Sequence, residues 1–142
     1  MHLIGAGKAR TFALVTHVSL KYSGTSPIKE VPTGINKALW DERNLYFSKY
    51  EEGIDIAPEQ WNGIIPEVIM NQITSDDDFS TLIDAYPGSA TVHLAKKARV
   101  TAVEPDPTLR RRLWTNAQIY DRQHKINLID GDVAQQLPTQ TA

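Results

Sequence analysis

Between Thr81 and Tyr120 the apolar positions change period twice. Leu82, Ile83 and Ala85 form a short apolar run that stops at Pro87-Gly88. Thr91 to Ala98 follows as a helical piece, and Arg99-Val100-Thr101-Ala102-Val103 is a second, β-branched run ending on Glu104. Asp106 and Pro107 then open a helix, with the acid as cap and the proline at the first helical position. Leu109, Leu113, Ala117 and Tyr120 share one face of it. Ile126 to Ile129 reads as a third strand, ending in Asp130-Gly131-Asp132. This strand–helix–strand–helix–strand order predicts right-handed crossovers and a parallel sheet.

Upstream the periods are shorter. Ile35 to Tyr50 predicts a helix burying Leu39, Phe47 and Tyr50, stopped by Gly53. Pro58 and Pro66-Glu67 mark two further helix starts, the second leading an apolar face of Val68, Ile69 and Ile73. Ser75 to Asp78 is a polar turn before the sheet. Phe12 to Leu20 fits a strand or a short helix, and periodicity does not choose between them. Ser23 to Pro27 is a turn or linker. The expected organisation is an α/β chain in three parts. Residues 1–30 form a tail or leader, 31–78 a small helical extension, and 79–142 a partial Rossmann-like sheet of three parallel strands with helices.

Composition narrows the classes. With 142 residues, 41% of them hydrophobic, the chain can bury one core. A net charge of −2 supplies no global basic field for nucleic acid. The absence of cysteine removes disulfides, thiolate metal sites and a cysteine nucleophile. No apolar run approaches the roughly 20 residues of a membrane span. Residues 1–29 carry Lys8, Arg10, Lys21 and Lys29 without an acid, as an organelle-targeting leader or a mildly basic start would. Gly5-Ala6-Gly7-Lys8 lacks the spacing and the hydroxyl of a phosphate loop.

Candidate chemistry lies at the strand ends, because ligands of parallel sheets bind beyond the carboxyl ends of the strands. Asp84 and Glu104 fall there, and an acid ending the second strand is the usual grip on a ribose diol. His2, His17, His93 and His124 have no ligand spacing, so no metal is expected. His93 reads as a surface or hydrogen-bonded histidine. Asp76, Asp77 and Asp78 lack the spacing of a calcium loop. Arg110, Arg111 and Arg112 read as a wet helix face. Trp114 is expected in the core or on a helix flank.

Between Leu45 and Asp132 the chain resembles the trimethylguanosine synthase family, cap guanine-N2 methyltransferases that use S-adenosylmethionine. The more specific part precedes the sheet: Phe47-Ser48-Lys49-Tyr50-Glu51-Glu52-Gly53-Ile54, then Trp61, then Pro66-Glu67. In the sheet, Asp84-Ala85-Tyr86, the run Arg99 to Pro107, Asn116-Ala117, Tyr120 and Gly131-Asp132 continue the match. The resemblance implies cofactor-binding roles for Asp84 and Gly88 by the methionine part, Glu104 on the ribose, Asp132 on the adenine amine, and Pro66. It implies a lid over cofactor and capped guanosine, with Phe47 and Trp61 on the substrate side. It further implies capped RNA as partner and a nuclear location, with mitochondrion or cytoplasm as alternatives.

The chain departs from the family pattern at three places. Pro87-Gly88-Ser89-Ala90 has one glycine where the family's turn is richer. Ile65 replaces the threonine before Pro-Glu. The sequence stops before the family's Asn/Ser-Pro-Pro-Trp motif, which would stack on the guanine. Two functions therefore stand side by side: an active methyltransferase, with this chain holding mainly the cofactor-binding half, and a non-catalytic scaffold subunit in an RNA-containing assembly. A dinucleotide-dependent dehydrogenase fragment fits less of the segment before the sheet. Ending on three parallel strands also leaves Leu82 to Ala85 as an apolar edge. The chain is then a fragment, or a protein partner or second chain covers that edge, or Phe12 to Leu20 folds back onto it.

Overall fold

The computed structural model describes residues 3–4, 30–76, 80–132 and 134–135. Phe12 to Leu20 and the Gly5–Lys8 run lie outside the described residues. Three parallel strands form the sheet: β2 (Thr81–Asp84), β3 (Arg99–Val103) and β4 (Ile126–Ile129). Leu82 is level with Val100, and Val100 with Ile126, so one apolar row crosses all three. The expected partial Rossmann-like α/β fold is the observed one.

The edge of β2 is met by a two-residue strand, β1 (Leu3–Ile4). It pairs antiparallel, Leu3 with Asp84 and Ile4 with Ile83. The contact thus comes from nearer the start of the chain than the segment proposed to fold back.

Five helices accompany the sheet among the described residues: α1 (Lys37–Asp41), α2 (Arg43–Tyr46), α3 (Glu67–Asp76), α4 (Ser89–Leu94) and α5 (Pro107–Ile119). The single helix predicted from Ile35 to Tyr50 is two short ones. Asn36 caps the first by accepting from the Ala38 amide at 2.9 Å. The break falls at Glu42, beside the buried Arg43. The Arg43 guanidinium takes the Trp40 carbonyl at 3.0 Å, lies 4.6 Å from the centre of the Trp40 ring and pairs with Glu51 at 2.8 Å. A long-range pairing thus competes with helix continuation. Gly53 ends the following 3-10 turn with φ at +110°, a torsion that favours glycine. Pro58–Trp61 is also a 3-10 turn rather than an α-helix.

α3 is rotated from its predicted apolar face: Val68 is 53% exposed and Ile73 packs at the margin of the core, while Met70 and Thr74 are buried. At about 100° per residue, Glu67, Met70 and Thr74 share one side, and the contacts of Glu67 described below set that side inward. α5 matches expectation: the Asp106 carboxylate accepts from the Thr108 and Leu109 amides at 2.7 and 3.4 Å, and Leu113 and Ala117 face the core. Trp114 is on the flank, 40% exposed.

One apolar cluster joins the extension to the sheet. Trp40, Phe47, Ile54 and Trp61 pack in the same core as Leu82, Val92, Val100 and Leu113. At about 25 cal/mol per Å² of apolar surface removed from water, that shared burial is the main term holding the extension down.

Candidate functional site

The carboxyl ends of β2, β3 and β4 lie side by side, and the predicted acids follow them. Neighbouring strands run about 4.8 Å apart, so Asp84, Glu104 and Asp132 lie along one edge. Glu104 sits one residue past β3, and its amide continues the ladder to the Ile129 carbonyl at 3.0 Å. One of its carboxylate oxygens accepts from the Asp106 amide at 2.8 Å. Asp132 is exposed, with one oxygen accepting from the Ala134 amide at 2.8 Å. On both residues the second oxygen has no hydrogen bond among the described residues, leaving acceptors for hydroxyl or amine donors.

Arg110, expected on a wet helix face, is instead built into this rim. Its guanidinium donates to the carbonyls of Glu104 and Pro105 at 2.7 and 2.8 Å, and to the Asp130 carboxylate at 2.9 Å. It fastens the end of β3 to the end of β4. Arg112 is also engaged, 3.3 Å from Asp55. Arg111 remains exposed.

Asp84 has a different environment. It is 2% exposed, and both of its oxygens are taken, by the Tyr86 amide at 3.1 Å and the Thr91 hydroxyl at 2.7 Å. The Thr91 oxygen in turn accepts from the Gly88 amide at 2.9 Å. Burial raises the Asp84 pKa above the usual aspartate value, against the lowering effect of these two donors. Asp84 therefore shapes the Tyr86–Gly88 turn and offers no open oxygen. That turn borders a cleft of about 170 Å³, walled on its other side by Gln60, Asn62 and Ile65. Pro66 follows that wall, half-buried. A Cβ on Gly88 would come within 3.3 Å of the Gln60 amide nitrogen, so close approach rather than torsion suits glycine here. Tyr86 lies at the cleft, 71% exposed. Typical ligand pockets span about 300–1,000 Å³, so the cleft by itself is smaller than a usual ligand site.

Phe47 and Trp61 are interior residues, 0% and 1% exposed. Phe47 packs against His93 with ring centres 4.8 Å apart, and Trp61 against Trp40 at 6.1 Å. Beside them is a polar clasp that sequence reasoning did not foresee. Glu67 accepts from the Ser48 amide at 2.6 Å, the Ser48 hydroxyl at 3.1 Å and the Tyr120 hydroxyl at 2.9 Å. The Tyr120 oxygen also accepts from the Lys49 amide at 3.2 Å. Burial, aided by the neighbouring Glu67 carboxylate, pushes the Tyr120 pKa up to about 12. Burial alone would raise Glu67, but the donors from Ser48 and Tyr120 bring it below the usual glutamate value.

His93 is fully buried. Its Nε2 lies 2.9 Å from the Tyr46 carbonyl, which can only accept, so this nitrogen carries the proton. Its Nδ1 is buried, with no hydrogen-bond partner among the described residues. Burial lowers its pKa, with the Tyr46 carbonyl and Glu67 opposing. Among the described residues no group of three or more His, Cys, Asp or Glu could hold a metal ion, and no helix is long and apolar enough to cross a membrane.

The fold and rim define the class: a parallel α/β sheet with acids beyond adjacent strand ends, closed on one side by a helical extension. Within it, the chain is similar to the trimethylguanosine synthase of Schizosaccharomyces pombe, 32% identical over 110 residues that cover 72% of this chain and 46% of that protein. The chain therefore spans about half the length of this curated relative. No family model matches.

Proposed function

We propose that this chain is the cofactor-binding half of an S-adenosylmethionine-dependent methyltransferase of the trimethylguanosine synthase type. Glu104 would hold the ribose hydroxyls, Asp132 the adenine amine, and the backbone of Gly88 the methionine end. Asp84 would act through the turn it ties, and Pro66 through the wall it starts. The cofactor supplies the methyl group. Phe47 and Trp61 would serve the substrate side from behind, by fixing the extension. On this reading the substrate is a capped RNA, methylated at the guanine N2 of its 7-methylguanosine cap, as small nuclear and nucleolar RNAs are, and the location is the nucleus. The observation that carries it is the pair of carboxylates after adjacent strand ends, each with one oxygen unpaired among the described residues. Fold maintenance alone does not require acids there.

A second reading is a non-catalytic scaffold that kept the fold. The fully occupied Asp84 carboxylate and the small cleft favour it. Calorimetric titration with S-adenosylmethionine and its demethylated product separates the two. Binding that Glu104→Ala weakens at least tenfold supports the first, and no heat with either ligand supports the second.

A further inference from the structure

Three side chains spaced by four along α5 reach the extension. Arg112 pairs with the Asp55 carboxylate at 3.3 Å. Asn116, 3% exposed, accepts from the Asp55 amide at 2.8 Å and donates to the Asp55 carbonyl at 2.9 Å. Tyr120, capping the helix, meets the Lys49 amide and the Glu67 carboxylate. Spacing of four stacks side chains on one face of a helix. Asp55 and Glu67 bracket the segment that contributes Gln60, Asn62 and Ile65 to the cleft wall. Both ends of that wall are thus fastened to one rigid element, and between them it lies against Gly88.

We propose that Asn116 and Tyr120 are positioning residues: without touching a ligand, they set the distance between the Gln60–Ile65 wall and the Pro87–Ala90 turn, and so the affinity of the cleft. The geometry favours this over simple anchoring. Apolar burial already holds the extension through Phe47 and Trp61, whereas the polar contacts of α5 fall at the ends of the wall segment. The Asn116 amide forms both of its bonds with the backbone of one residue, which fixes that residue's position as well as its proximity. This inference rests on the cofactor reading above for the identity of the ligand, and on the hydrogen bonds alone for the positioning.

The test uses the full chain with Asn116→Ala and Tyr120→Phe, the second removing only a hydroxyl. S-adenosylmethionine affinity is measured by calorimetry, amide exchange by mass spectrometry and stability by urea. Positioning predicts faster exchange in residues 55–65 and an affinity loss of roughly tenfold, the equivalent of one net hydrogen bond, with the chain still folded. Faster exchange with unchanged affinity would overturn it, as would unchanged exchange in the wall. If either variant fails to fold, Arg112→Gln, which breaks only the ion pair with Asp55, gives the same readouts with a smaller loss expected. Should the unaltered chain bind no S-adenosylmethionine, the cofactor reading fails. The positioning claim is then decided by wall exchange alone, with loosening supporting it and no change refuting it.

Discussion

The interface between the extension and α5 and the rim beyond the strands use the same kinds of side chain to opposite ends. At the interface, Ser48, Asp55, Glu67, Asn116 and Tyr120 spend their hydrogen bonds on one another and on backbone. At the rim, Glu104 and Asp132 each spend one oxygen on a local amide, and among the described residues the other has no partner. The difference teaches how to separate residues that build a site from residues that serve it. Polar groups inside a fold are satisfied because leaving one unpaired costs about 1–3 kcal/mol. Open acceptors at a strand end bear no such cost, since water reaches them. The motif residues before the sheet belong to the first kind, although the resemblance suggests ligand contact for that stretch.

The largest effect expected on the interface side is Phe47→Ala. It removes a fully buried ring that packs against both His93 and Tyr120 and should cost about 3–5 kcal/mol, read as a fall in the urea midpoint. A cost under about 1 kcal/mol would mean that the extension is held mainly by its polar clasp. Next comes Asp84→Ala, which strands the Tyr86 amide and the Thr91 hydroxyl. A loss of about 1–3 kcal/mol is expected, with weaker ligand binding through the disordered turn. A stable variant would move Asp84 from the interior kind of residue to the rim kind.

Acid should loosen the interface through His93. Its pKa is lowered in the folded chain, so the unfolded chain, where histidine titrates near about 6.5, binds the proton more readily. Stability is therefore full above that pH and falls as pH drops below it, until the folded pKa is passed. The loss is about 1.4 kcal/mol for each unit by which the pKa is lowered. Urea midpoints at several pH values between neutrality and mild acid, compared with His93→Gln, check this, and the variant should be flatter. Last, Glu104→Ala should change stability by no more than about 0.5 kcal/mol while removing the heat of S-adenosylmethionine binding. A large stability loss there would erase the contrast between the two regions.

Much of the frame was legible in the chain. β-branched runs gave β3 and β4 at their observed bounds, and Asp106-Pro107 gave the start of α5. The acids at the strand ends were legible because the sheet's direction follows from its strand–helix order. The clasp was not. Ser48, Glu67 and Tyr120 are 19 to 72 positions apart, and no local period links them. One trace did exist, the spacing of four from Arg112 to Asn116 to Tyr120. A helix wheel marks such residues as sharing a face without saying what the face meets. The broken helix at Glu42 was hidden for the same reason, because the Arg43 guanidinium answers to Trp40 and Glu51 rather than to its own helix.

The sequence by itself determined the segments of β2, β3, β4 and α5, that these three strands run parallel, and that carboxylates lie at their ends. These are consequences of side-chain period, capping and crossover handedness, all local in the chain. Only the tertiary structure decided that Asp84 is sealed while Glu104 is partly exposed and Asp132 exposed, that Phe47 and Trp61 are core, and that Arg110 and Arg112 are working contacts. Burial and long-range pairing settle those roles, because a side chain's hydrogen bonds go to whatever packing brings within about 3 Å.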